Sequence, residues 1–299
     1  MPNTIGFIGA GTMGLPMVKN LLQAKFPVTV FDLNTAAVKD AVTAGATPAA
    51  SAQDVATNTE IIITMLPDTS DVETVLFGEN SISQGLTAGK LLIDMSSISP
   101  EATVEFAARI NAQGCEYLDA PVSGGEVGAI SGKMTIMVGG PEAAFNRAKP
   151  TFDAMGSTVT LIGTRNGDGQ VCKVANQIIG GVMVNAVAEA LLFADKAGAD
   201  AAKVREALLG GAVRSFILEN HGGRMLDRNF DPTFRANLQR KDLNLAIEAC
   251  QKLNIVLPQA TAAWETYNAT IAGGDGDNDA ISVLKTLERL AGHKIGELQ

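Results

Sequence analysis

Apolar residues along the first half of the chain follow two alternating rhythms. Short β-rich runs stand at 4–9, 27–32, 60–66, 91–96, 116–121, 134–139 and 158–162. Most segments between them carry helical periodicity, among them 13–24, 70–76, 100–111 and 141–155. Repeated alternation of strand and helix predicts an α/β, doubly wound, largely parallel sheet with helices on both faces. The run 60–66, Glu-Ile-Ile-Ile-Thr-Met-Leu, is apolar on both faces, as a strand buried between two helix layers must be.

Beyond residue 163 the rhythm changes. A polar link at 164–168 leads into a proline-free stretch at 169–197, about eight helical turns. Its apolar residues (Ile178, Ile179, Val182, Met183, Val187, Leu191, Leu192) run nearly all round, which predicts burial. Helical segments follow at 201–209, 216–226, 234–253, 258–271 and 280–290, with no convincing strand. The expected division is a dinucleotide-binding domain at 1–163 and an all-helical C-terminal domain at 164–299, joined by one long helix.

Composition narrows the partners. The 299 residues suffice for two domains, and a hydrophobic share of 46% supplies a core. A net charge of −9 repels phosphate backbones and anionic lipid, so neither nucleic acid nor a membrane surface is an expected partner. A small anionic substrate would then need local positive charge, which draws attention to any lysine in a cleft. Cys115, Cys172 and Cys250 lie far apart, without metal-ligand or redox spacing. No metal centre is expected, and so few thiols suit a reducing compartment. The apolar stretch 4–10 is broken by Gly6 and Gly9 and lacks a preceding basic region. No apolar run approaches the ~20 residues of a membrane span, so the expected location is the cytoplasm.

The first strand runs into Gly9-Ala10-Gly11-Thr12-Met13-Gly14, a GxGxxG turn that opens a helix. The first glycine permits the tight turn, Gly11 lets the backbone approach a pyrophosphate, and Gly14 lets helix and strand pack closely. Asp32 ends the next strand, 18 residues after Gly14. A carboxylate there binds a ribose 2′-hydroxyl and repels a 2′-phosphate, so NAD is the expected cofactor in preference to NADP. A methyltransferase using S-adenosylmethionine remains an alternative for the same motif. Two later strand ends, Met65-Leu66-Pro67 and Ser96-Ser97, are expected to complete the cofactor site, because ligands of open α/β sheets bind beyond the carboxyl ends of strands.

Asp119-Ala120-Pro121-Val122-Ser123-Gly124-Gly125 ends a strand in small residues. The Ser123 hydroxyl and the amides of Gly124 and Gly125 could hold a carboxylate; a flexible glycine loop is the plainer alternative. On the long helix Lys173, Asn176, Gln177 and Gly180 share one face. A cation and two amides on an apolar helix are costly to bury without a use. Carbonyl reduction by hydride needs a proton donor at the new alkoxide, which Lys173 can be. Desolvation beside another cation would lower its pKa from about 10.4 towards neutrality. Asn176 could hold the substrate oxygen or orient the lysine; a structural salt bridge is the competing role for Lys173. The two histidines are poorer acids: His293 lies near the tail, expected to face solvent, and His221 precedes Gly222-Gly223 at an expected helix break. Lys241-Asp242 reads locally as a charged surface pair, and Trp264 as core or interface packing.

These motifs together resemble the β-hydroxyacid dehydrogenases along essentially the whole chain. The residues that carry the resemblance are 6–17 (Gly-Phe-Ile-Gly-Ala-Gly-Thr-Met-Gly-Leu-Pro-Met), Asp94-Met95-Ser96-Ser97, 119–125, 169–177 and Lys241-Asp242. The resemblance implies a Rossmann domain and a helical domain with the active site between them, and Lys173 as the catalytic residue. It places Ser123, Gly124, Gly125 and Asn176 at the substrate and brings Lys241 to the cofactor region, against the surface reading. It also implies a homodimer or homotetramer built by the helical domain. Ala10 replaces the larger apolar residue usual between the first two glycines. Gln177 stands where many relatives, including those acting on 3-hydroxyisobutyrate, carry Asn; glutamine is similar to the branch acting on tartronate semialdehyde. Oxidation of 3-hydroxyisobutyrate and reduction of glyoxylate or succinic semialdehyde are the other expectations within the family.

Overall fold

The computed structural model describes residues 3–297. By internal contacts the chain divides into two compact units, Met1–Lys173 and Val174–Gln299. The first unit is built in chain order from β1 (Ile5–Ile8), α1 (Gly14–Gln23), β2 (Val28–Phe31), α2 (Thr35–Thr43), β3 (Thr47–Pro48), α3 (Ala52–Asn58), β4 (Ile61–Thr64), α4 (Thr69–Phe77), α5 (Ile82–Gly85), β5 (Leu91–Asp94), α6 (Pro100–Asn111), β6 (Glu116–Asp119), β7 (Val122–Ser123), α7 (Gly125–Ser131), β8 (Met134–Gly139), α8 (Glu142–Asp153) and β9 (Gly156–Gly163). The sheet order is β3-β2-β1-β4-β5-β6-β8-β7, with β9 beside β8. Its first six strands are parallel and follow the 3-2-1-4-5-6 order of a Rossmann dinucleotide fold.

The sheet departs from the parallel expectation at one place. Strand β8 runs antiparallel to both β6 and β7, and β9 then runs parallel to β8. The short β7 supplies the reversal: Val122 and Ser123 pair with Ile136 and Thr135. Elsewhere two apolar layers sandwich the strands, because successive side chains point to opposite faces. Ile61 and Ile63 pack with Met17, Val18, Leu21 and Phe152 on one side. Ile62 packs with Val55, Leu76, Phe106 and Ile110 on the other. All three isoleucines are fully buried, which explains the unbroken apolar run in the sequence.

The second unit is helical. It follows the long α9 (Asp168–Lys196) with α10 (Ala201–Leu209), a π-turn at Ile217–His221, α11 (Gly222–Leu226), α12 (Ala236–Leu253), α13 (Pro258–Thr270), a second π-turn at Ile271–Asp275, a 3₁₀ turn at Ala280–Ser282 and α14 (Val283–Ala291). Its core gathers Val184, Ala188, Leu191, Leu192, Leu243, Tyr267, Ile281 and Leu284, with Trp264 packed against it. Among the described residues of this unit no strand forms.

One expectation about α9 is corrected. The helix is not buried all round: one stripe at Val184, Ala188, Leu191 and Leu192 enters the core, while Val171, Ile179 and Phe193 are mostly exposed. The packing partners lie on one side, so composition alone overstated the burial. By length and composition α9 is also apolar enough to cross a membrane, although no single uninterrupted run suggested it. Its glycines and alanines keep the average apolar where polar residues interrupt the run. A buried core helix of a water-soluble protein meets the same test.

Candidate active site

The sheet unit places a phosphate cradle at the carboxyl end of β1. Gly9 has φ +98°, and a Cβ there would collide with the Met65 carbonyl oxygen. A Cβ on Gly14 would collide with the Gly9 carbonyl oxygen, so the close crossing of turn and helix admits only hydrogen there. Gly11 and Thr12 are exposed, and nothing lies within 4 Å of where a Gly11 Cβ would stand. Helix α1 starts at this turn, and Met13 at its N-cap makes no side-chain capping bond. Its first turn also lacks an acidic residue. By contrast Asn34, Ser51, Asp68 and Ser99 cap α2, α3, α4 and α6 with their own side chains. An uncapped helix start with exposed backbone suits a pyrophosphate, whose charge answers the orphan N–H groups and the helix dipole. Asp32 stands beside it: its Oδ2 accepts from the Ala10 N–H at 2.7 Å and its Oδ1 from the Asn34 N–H at 2.7 Å. The Asp32 carboxylate is thus tied directly to the glycine turn. These residues fit a nicotinamide dinucleotide.

A buried network fixes the next strand ends. Asp94 at the end of β5 is fully buried and accepts from Thr64 Oγ1 (2.9 Å), the Ser96 N–H (3.0 Å) and the Tyr117 hydroxyl (3.3 Å). Burial pushes its carboxyl above the usual range. Ser96 is itself fully buried, and its Oγ accepts from the Leu66 N–H at 2.9 Å. The hydroxyl therefore braces Met65-Leu66-Pro67. These two strand ends, read separately from the sequence, are one hydrogen-bonded unit.

The third feature is a clamp on the first turn of α9. Asp119 ends β6 without exposure; its Oδ1 accepts from the Gly167 N–H at 2.7 Å and its Oδ2 from the Gln170 N–H at 2.9 Å. The Gln170 side chain, also fully buried, donates to the Ser96 carbonyl at 2.8 Å and accepts from the Ile98 N–H at 3.2 Å. Close glycine contacts leave no slack, since a Cβ on Gly139 would stand 2.6 Å from the Gly169 nitrogen. One turn further on, Lys173 is buried, with 9% of its surface exposed. It belongs to the same compact unit as the cradle. Burial raises the Asp119 carboxyl to about 6 despite its two backbone donors. Sequence reading missed Asp119, Gln170 and Asp94 as organisers. The available signal was an aspartate closing each of two strands, Leu91–Asp94 and Glu116–Asp119.

Ser123, Gly124 and Gly125 form the short β7 and the start of α7, with Ser123 partly buried and both glycines exposed. The stretch is ordered structure, not a free glycine loop. In the helical unit, Asn176 Nδ2 donates to Gln177 Oε1 at 2.7 Å, and Gln177 Nε2 donates to Asp242 Oδ2 at 2.5 Å. Lys241 Nζ lies 3.1 Å from Asp242 Oδ1, with side chains 18% and 4% exposed. The surface-pair reading of Lys241-Asp242 is thereby corrected: the carboxylate is buried against α9 and the pair faces inward. His293 is corrected as well. Its side chain is 9% exposed and bonds Asp195 at 2.6 Å, because the chain turns back at Gly292 after α14. Gly222-Gly223 is no helix break; the π-turn continues straight into α11 with Gly222 at φ −60°. Burial holds His221 below the ordinary imidazole value. Among the described residues no cluster of His, Cys, Asp or Glu could hold a metal.

Comparison with known proteins agrees with this geometry. Residues 4–163 match the NAD binding domain of 6-phosphogluconate dehydrogenase, and residues 167–287 match the NAD-binding region of NADP-dependent 3-hydroxyisobutyrate dehydrogenase. The chain is 48% identical to the 2-hydroxy-3-oxopropionate reductase of Escherichia coli (strain K12), over 97% of this chain and 99% of that one. It is 37% identical to the 2-(hydroxymethyl)glutarate dehydrogenase of Eubacterium barkeri, over 96% of each chain. The solved 3-hydroxyisobutyrate dehydrogenase of Mycobacterium tuberculosis with L-serine superposes with a TM-score of 0.88 at 31% identity, covering 96% of this chain and 99% of that chain. Cradle, fold and relatives together place the chain in the β-hydroxyacid dehydrogenase family, as an oxidoreductase that acts on the CH–OH group of hydroxyacids with a nicotinamide dinucleotide.

Proposed function

We propose that the enzyme reduces tartronate semialdehyde (2-hydroxy-3-oxopropionate) to D-glycerate with NADH, reversibly, using Lys173 as general acid and base. The observation that carries this reading is a buried lysine held one helical turn beyond a clamp, in the unit that bears the dinucleotide cradle. Bound NADH supplies the hydride that adds to the aldehyde carbon. Lys173 donates a proton from Nζ to the aldehyde oxygen, so that hydride and proton together give the alcohol. In the oxidative direction neutral Lys173 removes that proton, which favours high pH. Ser123 Oγ and the amides of Gly124 and Gly125 hold the substrate carboxylate. Asn176, with Gln177 bonded behind it, meets the rest of the substrate, and Lys241 serves the cofactor. The 48% identical reductase supports this substrate.

Gly9, Ala10, Gly11, Thr12, Met13 and Gly14 take the pyrophosphate, with Met65, Leu66, Pro67 and Ser96 along the adjoining strand ends. Asp32 sets the preference for NADH. Asp32→Ala is expected to narrow the NADH-over-NADPH ratio of kcat/KM by about tenfold or more, since the 2′-phosphate no longer meets a carboxylate. An unchanged ratio would remove that role. A panel of initial rates with tartronate, methylmalonate and succinic semialdehydes and glyoxylate tests the substrate. Tartronate semialdehyde should give the highest kcat/KM. A better rate with methylmalonate semialdehyde would make the enzyme a 3-hydroxyisobutyrate dehydrogenase instead.

Residues 1–163 serve the cofactor and 164–299 the substrate and self-association, as a homodimer or homotetramer. Exposed Phe193 and Leu290 on the helical unit favour association. The unpaired thiols fit work in the cytoplasm, in glyoxylate metabolism.

A further inference from the structure

The amides next to Lys173 have a fixed polarity. Asp242 is buried and ion-paired to Lys241, so its carboxylate only accepts hydrogen bonds. Gln177 must then turn its NH₂ to Asp242, which leaves Oε1 on the other side. That oxygen is met by Asn176, which answers with Nδ2. The constraint passes along the row one amide at a time. Asn176 is left with its carbonyl oxygen turned away from Gln177, on the helix face it shares with Lys173.

This chemistry has a matching partner. Apart from Asn176, the groups proposed to touch the substrate in the reductive direction act as donors: Lys173 as the acid, and Ser123 Oγ with the amides of Gly124 and Gly125 toward the carboxylate. The substrate carboxylate and the aldehyde oxygen are acceptors. The hydroxyl on the carbon between them is the single O–H donor of a 2-hydroxy-3-oxo acid. We infer that Lys241, Asp242 and Gln177 form a positioning relay that fixes Asn176 as a hydrogen-bond acceptor, and that this acceptor selects a 2-hydroxyl over a 2-methyl group. The inference rests on the proposed placement of Asn176 at the substrate. Hydroxyl and methyl are close in size, so the shape of a pocket separates them poorly. A group built to receive the O–H separates them well, because a methyl strands it unpaired.

Asp242→Asn tests the relay with little change of shape. Its Oδ1 can still face Lys241, but an NH₂ now faces Gln177. Gln177 turns over, Asn176 turns with it, and the outward group becomes an N–H donor. The pair to compare is D-glycerate and 3-hydroxyisobutyrate, each oxidised with NAD and differing in hydroxyl against methyl. The ratio of their kcat/KM values should fall about tenfold or more in Asp242→Asn. Gln177→Met, which keeps the length and removes both polar ends, should lower the ratio in the same way. NADH fluorescence titration and thermal unfolding report whether each variant is folded. A loss shared equally by both acids, or an unchanged ratio, overturns the relay while leaving the enzyme assignment intact. Wild-type enzyme that turns over neither acid overturns the proposed function, and the relay with it.

Discussion

Replacing Lys173 with alanine should lower kcat about 100- to 10,000-fold, the usual contribution of a positioned general acid, while NADH still binds. The cradle at Gly9–Gly14 and the Asp32 carboxylate do not depend on the lysine, so a fluorescence titration of NADH should be unchanged. Lys173→Arg separates charge from proton transfer. Guanidinium keeps the cation for a carboxylate but gives up no proton near neutral pH. Both variants should therefore be equally slow. A wild-type-like turnover number in Lys173→Ala would end the assignment of the proton donor.

Asp119→Ala should be the most damaging change outside the reacting groups. It leaves the buried N–H groups of Gly167 and Gln170 without acceptors, at about 1–3 kcal/mol each. The melting temperature should fall on the order of 5–10 °C, and kcat should fall too, because the turn leading to Lys173 loses its anchor. Asp119→Asn gives the finer readout. Burial raises the folded carboxyl from 3.8 to about 6. Between these values the folded protein keeps a proton that the unfolded chain has released. Stability from this group is therefore greatest below pH 3.8, declines as pH rises to about 6, and is level above that. The asparagine variant lacks this titration. The stability difference between wild type and Asp119→Asn should shrink by up to about 3 kcal/mol from pH 4 to pH 7 in urea unfolding. A difference constant across that range would show that Asp119 is ionised throughout.

Local signals carried much of the fold. Helices α6 and α10 occupy 100–111 and 201–209 as expected because their starts are marked in the sequence: Ser99 caps before Pro100, and Asp200 accepts from two backbone N–H groups. The two-residue strands β3 and β7 gave no pattern, being too short to alternate. The cradle was legible because glycine spacing encodes its backbone conformation directly. Partners distant in sequence were not. Asp119 reaches Gly167 across 48 positions, and Asp242 reaches Gln177 across 65. Nothing in the sequence around Lys241-Asp242 separates a solvated pair from one turned inward. His293 failed for the same reason, since Asp195 lies 98 positions away.

The division between the two units follows Lys173 directly, inside a single unbroken helix. Asp119 and Gln170 thus make Lys173 a mechanical part of the sheet, riveted to the ends of β5 and β6. Asn176 and Gln177 lie past that point and are tied instead to Asp242 on α12. Substitutions around that second anchor would therefore reach the two amides without disturbing the bonds that hold Lys173.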